Sequence, residues 1–222
     1  MIEMVQGVVL RSEECNEFDK RLTLYTKEFG KFKAKLVGVK KSASKLRGLT
    51  LPFVECRFQI YLHGTPRAGV RDPGRVVTGE ILKEFPFLQD HWEKVVDAYK
   101  VCEILEMLTQ PFYPNLKEYE LFISTLSHLA ETQFPTLVRC RFTLLLLKIL
   151  GYSLGHHPVW RAYSSDEKEL FKKLRAWDSK AELLSKDEIC RIEYLTENYL
   201  SLYLSKPLKT EIFQKKISLS GV

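Results

Sequence analysis

The spacing of apolar residues changes near residue 84, and this change limits the possible folds more than any other feature of the sequence. Before it, apolar and polar residues alternate in short runs bounded by turn residues, a pattern typical of half-buried β-strands. After it, apolar residues recur at helical spacing between capping residues and prolines. We therefore expect an α+β protein with a β domain at residues 1–83 and an all-α domain at residues 84–222.

The first region contains five short segments that read as strands. They cover residues 4–10, 20–25, 32–39, 53–61 and 76–82. Five short strands with a long connection between the third and the fourth suggest a Greek-key β-barrel of the OB-fold type. The same periodicity is compatible with an SH3-like barrel, so periodicity alone leaves both architectures open.

The second region predicts five helices. They cover residues 90–110, 115–131, 135–151, 164–177 and 185–205. Asn115, Ser164 and Ser185 each precede a Glu by three residues, which is the pattern of a helix N-terminus. The longest apolar segment, residues 137–150, contains three basic residues and is shorter than the ~20 residues that span a bilayer, so we expect no membrane association.

The net charge of +6 is concentrated in the first third of the chain. Residues 1–80 hold 15 Lys and Arg against 9 Asp and Glu, and residues 29–54 contain no acid at all. Clustered positive charge predicts a polyanionic partner such as the phosphates of nucleic acid, although a solvated basic loop would look the same in sequence. The candidate DNA-binding residues are Arg11, Lys20, Arg21, Lys31, Lys33, Lys35, Lys40, Lys41, Lys45 and Arg47.

Aromatic residues in and beside the strands offer a second mode of contact, because bases stack on exposed rings. Phe29 and Tyr61, near strand ends, are the better candidates for stacking. Most of the other alternating aromatics are expected to fill the barrel core.

No sequence motif points to catalysis. The chain has neither a phosphate-binding GxxxxGK[ST] loop nor GxGxxG nor GxSxG. Its five cysteines are widely spaced, which indicates buried free thiols in a reducing cytoplasm rather than a disulfide framework or a zinc ribbon. We interpret the chain as a binding protein and not an enzyme.

Several motifs in a fixed order resemble the RecO family of bacterial recombination mediators. They are G-V-V-L-R at 7–11, E-F-D-K-R-L-T-L-Y-T-K-E-F-G at 17–30, G-V-K-K-S at 38–42, L-R-G-x-x-x-P-F at 46–53, R-F-x-L-x-L-L-x-x-L-G-Y at 141–152 and K-P-L-K at 206–209. The resemblance covers most of the chain, and it implies an N-terminal OB-fold barrel followed by an α-helical domain.

The resemblance also implies a function and partners. It implies DNA repair and recombination: binding of single- and double-stranded DNA, annealing of complementary strands, and, with RecR, loading of RecA onto strands coated by single-strand-binding protein. Arg141 matches the family's R-F-x-L element, and Arg139 lies half a turn away, so both are candidates for binding the acidic C-terminal tail of single-strand-binding protein. An internal salt bridge is the alternative for these arginines. A monomer acting in the cytoplasm near the nucleoid is expected.

One departure from the resemblance concerns metal. Many members of the family carry a four-cysteine zinc module after the Gly-Tyr element, whereas residues 153–160 here contain no cysteine. Zinc needs about four Cys or His ligands, so we expect no zinc and no other cofactor. An OB-fold module that binds RNA or associates with the ribosome remains the alternative function, because charge does not separate RNA from DNA.

Overall fold

The computed structural model describes residues 1–41, 44–62, 74–85, 91–176 and 184–220, with side chains described as far as residue 214. These residues belong to two compact units. The first unit comprises Met1–Phe85 with Thr109–Tyr119, and the second comprises Pro86–Leu108 with Glu120–Val222. All named strands lie in the first unit and most helices in the second, which confirms the predicted α+β class.

The first unit contains a closed barrel of five strands in the order β1-β2-β3-β5-β4. The strands are β1 (Ile2–Glu14), β2 (Lys20–Thr26), β3 (Gly30–Leu36), β4 (Glu55–Leu62) and β5 (Gly74–Lys83). Neighbouring strands are antiparallel except β3 and β5, which are parallel. This arrangement is that of an OB-fold, so the predicted barrel type is confirmed.

The first strand is longer than the sequence predicts because it pairs with two neighbours. Its N-terminal half pairs with β4 and its C-terminal half with β2. The register shifts between Val9 and Arg11, which marks a bulge that lets the strand bend around the barrel. The alternation of apolar residues stops at this bulge, so the pattern predicted a strand that ends at residue 10.

The barrel core is formed by the inward residues of every strand. On β3, Phe32, Ala34 and Leu36 are at most 2% exposed. The core cluster comprises Val5, Val9, Leu22, Leu24, Phe32, Ala34, Leu36, Val39, Leu49, Val54, Cys56, Phe58, Ile60, Leu62 and Val76. Burial of these side chains drives the barrel together and leaves the alternate residues on its outer surface.

The segment Thr109–Tyr119 belongs to the barrel unit, although the sequence assigned it to the helical domain. Two buried hydrogen bonds hold it there. The hydroxyl of Tyr25 donates to the carboxylate of Glu118 at 2.5 Å, and the hydroxyl of Tyr119 donates to that of Glu55 at 2.7 Å. Burial, followed by the neighbouring carboxylate, raises the pKa of both phenols, so both remain donors. The division at residue 83 thus differs from the observed one, because side chains distant in sequence hold the segment.

Seven α-helices are found in the described residues. They are α1 (Trp92–Leu108), α2 (Leu116–Glu131), α3 (Pro135–Ile149), α4 (Val159–Ala162), α5 (Ser165–Ala176), α6 (Lys186–Ser201) and α7 (Lys209–Ser220). The predicted caps are confirmed: Asn115 accepts from the first turn of α2, and Ser164 and Ser185 each form reciprocal bonds with a Glu three residues on. None of these helices is long and apolar enough to cross a membrane.

The sequence did not predict α7, because the group that caps it lies far away in the chain. The carboxylate of Glu103, on α1, accepts from the amide of Lys209 at 2.7 Å and from the amide and hydroxyl of Thr210 at 3.1 and 2.7 Å. Such a carboxylate replaces a local cap and complements the positive end of the helix dipole. No pattern within residues 205–222 contains this signal.

The cysteines differ in part from the expectation of buried thiols. All five are free, and Cys56, Cys102 and Cys140 are buried. Cys190 is exposed and Cys15 is half-buried. The expectation is therefore correct for three cysteines and wrong for Cys190, which lies on the outer side of α6.

Candidate nucleic-acid interface

The basic residues of β3 project from the barrel as the alternation predicts. Lys33 is exposed, and Lys31 and Lys35 are half-buried between the inward apolar residues. Strand pairing places Lys35 between Arg21 of β2 and Arg75 of β5. These three side chains form a cationic row across three strands, since paired residues of neighbouring strands point to the same face.

Arg75 is a cation that sequence analysis missed. It is exposed and follows the buried Gly74 at the start of β5. Its place opposite Lys35 depends on the parallel pairing of β3 with β5, which joins strands separated by nearly forty residues of sequence. A charge count along the chain could not bring these two residues together.

The loop after β3 extends the positive surface. Lys40, Lys41, Lys45 and Arg47 are all exposed, as predicted. The guanidinium of Arg47 donates to the backbone carbonyls of Lys40 and Lys41 at 3.2 and 3.1 Å, which ties the two ends of the loop together without neutralising any charge. Gly38 begins the loop at φ 68, in the left-handed region that glycine tolerates best.

Acidic residues of the β1–β2 segment neutralise part of this surface, although residues 29–54 contain none. The pairs are Arg11–Glu13 at 3.0 Å, Lys35–Asp19 at 2.9 Å and Lys40–Glu14 at 3.1 Å. Two of the pairs are well exposed, so they are weak, and phosphate can compete for the basic partner. Among the described residues, Lys33, Lys41 and Lys45 form no ion pair, so these three carry uncompensated positive charge.

Asp19 has a structural role in this interface. Its carboxylate accepts from the backbone amide of Gly38 at 2.8 Å, from the ammonium of Lys35 and from the side-chain amide of Asn16 at 3.1 Å. The Gly38 amide first, and the Lys35 ammonium second, hold the pKa of Asp19 below its ordinary value of 3.8. The carboxylate thereby joins the β1–β2 turn to the loop that carries the lysines.

Lys31 makes a structural contact at the start of β3. Its ammonium donates to the carbonyl of Thr109, and its own carbonyl accepts from the amide of Phe112 at 2.9 Å. The segment Thr109–Tyr119 therefore covers this end of β3. Gly30 precedes it at φ 64, where a Cβ atom would lie 2.5 Å from the Tyr113 carbonyl oxygen. Lys31 is engaged in holding this segment, and its contact with phosphate stays a prediction.

Arg11 lies on the outer face near this row, whereas Lys20 is paired with the inward-facing Leu36. Arg11 and Thr23 are paired across β1 and β2, and Thr23 is paired with Lys33. Lys20 and Arg21 are half-buried at the start of β2. The structure thus brings most of the predicted residues to one region of the barrel, at the end of β3 opposite Lys31.

The aromatic candidates have a mixed outcome. Phe29 is half-buried and packs edge-on against Phe32, with ring centroids 6.1 Å apart. It therefore lies at the edge of the barrel core and is a poor candidate for stacking with a base. Tyr61 is 41% exposed on β4, opposite Arg75. Phe18, which sequence analysis did not consider, is 43% exposed in the β1–β2 turn.

The arginines of α3 lie in the helical unit, and their surroundings differ. The side chain of Arg139 is 1% exposed and binds three carboxylates: Asp97 at 2.5 Å, Glu197 at 3.2 Å and Glu193. A partner's tail cannot reach it, so its assignment to a tail-binding pocket is wrong and the internal salt bridge is correct for this residue. Arg141 is half-buried, and its role in binding a partner stays a prediction.

Among the residues that the structure describes, no group of three or more His, Cys, Asp and Glu is arranged to hold a metal ion. The zinc content of the protein stays a prediction.

Known proteins resemble this chain in sequence. The family model described as "Recombination protein O N terminal" matches residues 1–67. Proteins named "DNA repair protein RecO" align with about two thirds of the chain. The relative from Pelotomaculum thermopropionicum is 37% identical over 146 residues, which cover 66% of this chain and 54% of the relative. Relatives from Listeria monocytogenes and Desulfitobacterium hafniense are each 30% identical, over 150 and 146 residues, which cover 68% and 66% of this chain.

The chain spans about half the length of the curated relatives that it matches, with 54%, 56% and 50% of their residues covered in these three cases. The matched N-terminal region contains most of the barrel and the basic loop after β3. A barrel of the OB-fold type, the family model on this barrel and the named relatives agree with one another: the chain belongs to the RecO family.

Proposed function

We propose that this chain is a DNA-binding protein of recombinational repair that acts without catalysing a reaction. The observation that carries the proposal is the cationic surface on the barrel, formed by the row Arg21–Lys35–Arg75 and the loop with Lys41 and Lys45. The relatives named as DNA repair proteins support the same assignment. The side chains that define this surface are cations, which suits it to binding a polyanion.

The surface suits a phosphate backbone because several of its basic side chains are available to bind phosphate. Lys33, Lys41 and Lys45 have no carboxylate partner among the described residues, so phosphate contacts there break no existing ion pair. Arg11 and Lys40 are paired with exposed acids, which water and phosphate can replace at small cost. Contacts of this kind release counterions and give affinity that falls with salt.

Annealing follows from the same electrostatics. Two complementary strands repel each other through their phosphates, and a positive surface that holds both lowers this repulsion. We propose that the barrel binds single-stranded and double-stranded DNA and promotes pairing in this way. We propose that the protein acts as a monomer in the cytoplasm near the nucleoid. Together with RecR, it would load RecA onto strands covered by single-strand-binding protein.

Replacement of Lys33, Lys41 and Lys45 by Ala in one variant tests the proposal. Each phosphate contact on a single strand contributes ~0.7 to the slope of log affinity against log salt. If each of the three lysines contacts one phosphate, the triple variant should therefore have a slope that is smaller in magnitude by about 2. The control variant replaces Lys27 and Lys117, which are exposed on the same unit near the other end of β3. Equal slopes for wild type and the triple variant would contradict the assignment. Competition with RNA of the same sequence decides between DNA and the alternative of an RNA-binding module.

We further propose that Arg141 binds the acidic tail of single-strand-binding protein. The residue is half-buried on α3, a helix of mostly apolar residues, and a guanidinium forms charge-assisted hydrogen bonds with carboxylates. Arg141→Ala should abolish binding of a tail peptide and leave binding of naked DNA unchanged. Retained binding of the peptide would remove Arg141 from the site.

A further inference from the structure

Phe18 is a large apolar side chain in the middle of a charged surface, and the barrel core does not explain it. It lies in the turn between β1 and β2 and is 43% exposed. The ammonium of Lys41 lies 5.7 Å from the centroid of its ring. An exposed ring beside an uncompensated lysine has the two features by which single strands are bound, an aromatic face and positive charge.

The turn that carries Phe18 is held in place by its neighbours. The carbonyl of Phe18 accepts from the amide of Lys40 at 3.1 Å. The adjacent Asp19 is buried, and its carboxylate joins this turn to Gly38 and Lys35. The ring is therefore displayed on fixed backbone next to the basic loop, so little conformational entropy is lost when a ligand binds it.

The chemistry of a nucleic acid matches this arrangement only when its bases are unpaired. Phosphate groups would meet Lys41 and Lys45, while a base would lie on the ring. In a duplex the faces of the bases are covered by their stacked neighbours, so only a single strand offers a face to Phe18. We propose that Phe18 is a base-stacking platform that makes the barrel bind single strands more tightly than duplex DNA. This inference rests on the proposed DNA binding.

The experiment compares an oligothymidylate, an abasic oligonucleotide of equal length and charge, and a duplex. Phe18→Ala should weaken binding of the oligothymidylate about fivefold to tenfold, the lower part of the range for loss of one stacked base. Binding of the abasic strand and of the duplex should not change, and the salt slope should stay the same because no charge is removed.

A second variant provides a direct signal. Phe18→Trp keeps an aromatic face, so it should bind oligothymidylate like wild type. The fluorescence of the new indole, measured as the difference from wild type with its three tryptophans, should decrease with oligothymidylate and not with the abasic strand. Tyr113→Ala is the matched control, because Tyr113 is 70% exposed on the same unit, beside Gly30 at the other end of β3.

The outcomes separate this inference from the function on which it rests. If wild type binds the oligonucleotides and Phe18→Ala binds the oligothymidylate as tightly as wild type, the stacking platform is refuted and DNA binding stands. If Phe18→Ala weakens binding of the abasic strand as much as binding of the oligothymidylate, the ring contacts the sugar-phosphate backbone and the stacking platform is again refuted. If wild type binds none of the oligonucleotides in low salt, the proposed function and the platform both fall.

Discussion

Replacing Arg139 by methionine should destabilise the helical unit severely, because this arginine neutralises three carboxylates. Glu193 and Glu197 have side chains that are 33% exposed, so water can solvate them after the change. The side chain of Asp97 is 7% exposed and, among the residues that the structure describes, would keep only the hydroxyl of Thr136, at 3.2 Å. Removal of one partner of a buried ion pair costs about 3–5 kcal/mol, and nearly all of that loss would arise at Asp97.

The buried Lys100 does not replace the arginine. Its ammonium lies 3.5 Å from Glu197 and 3.8 Å from Glu193, and no contact with Asp97 is seen among the described residues. Without Arg139 the cluster would hold three carboxylates against one ammonium, and the stranded charge at Asp97 would dominate. A second replacement, Asp97→Asn, removes that charge, so the double variant should be more stable than Arg139→Met alone.

Urea unfolding followed by far-ultraviolet circular dichroism measures these free energies of unfolding. The free energy of unfolding of Arg139→Lys should lie between those of wild type and Arg139→Met, because lysine keeps the charge but cannot bind all three carboxylates in the same geometry. The control is Arg191→Met, which removes an arginine that is 52% exposed and paired with Glu167, and should cost less than about 1 kcal/mol. A cost for Arg139→Met as small as that of the control, or no rescue by Asp97→Asn, would refute this account of the buried network.

Three further predictions concern acid, thiols and metal. The pKa of Asp19 in the folded protein lies below 3.8, so its stabilising contribution is present above pH 3.8 and is lost as the pH falls through the folded-state pKa. The urea midpoints of wild type and Asp19→Asn should therefore differ near neutral pH and converge in strong acid. A difference that stays constant with pH would contradict this linkage. Burial raises the pKa of Cys56 and Cys140 to about 12, so these thiols should not react in the native protein. A thiol reagent should modify only Cys190 and Cys15 before unfolding and all five cysteines after it. Rapid reaction of all five in the native state would be inconsistent with the fold. Elemental analysis should find much less than about one zinc per chain, and a chelator should leave the unfolding midpoint unchanged; a full equivalent would overturn the expectation.

Local patterns predicted the elements whose cause is local. The alternation of Phe32, Ala34 and Leu36 with lysines predicted β3 and its outward charges, because successive strand residues point to opposite faces. The capping residues Ser164 and Ser185 predicted two helix starts, because the groups that they satisfy are three residues away. These signals are contained in a few neighbouring residues, so the sequence alone is enough to read them.

Elements with distant causes could not be predicted in this way. The helix α7 is capped by Glu103, more than one hundred residues earlier in the chain. The segment Thr109–Tyr119 joins the barrel through Tyr25 and Glu55, which precede it by more than fifty residues. In both cases the stabilising contact exists only after the chain has folded, and the intervening sequence carries no periodic trace of it.

For the interface, the sequence by itself determined that positive charge would gather on one strand and the loop after it, because that charge is contiguous in the chain. Tertiary structure alone decided which of those charges remain available. It brought Asp19 to Lys35 and Glu14 to Lys40, added Arg75 to the row, placed Phe18 beside the loop and buried Arg139 among carboxylates. Electrostatic interaction depends on distance in space and on exposure to water, and neither quantity can be read from positions along the chain.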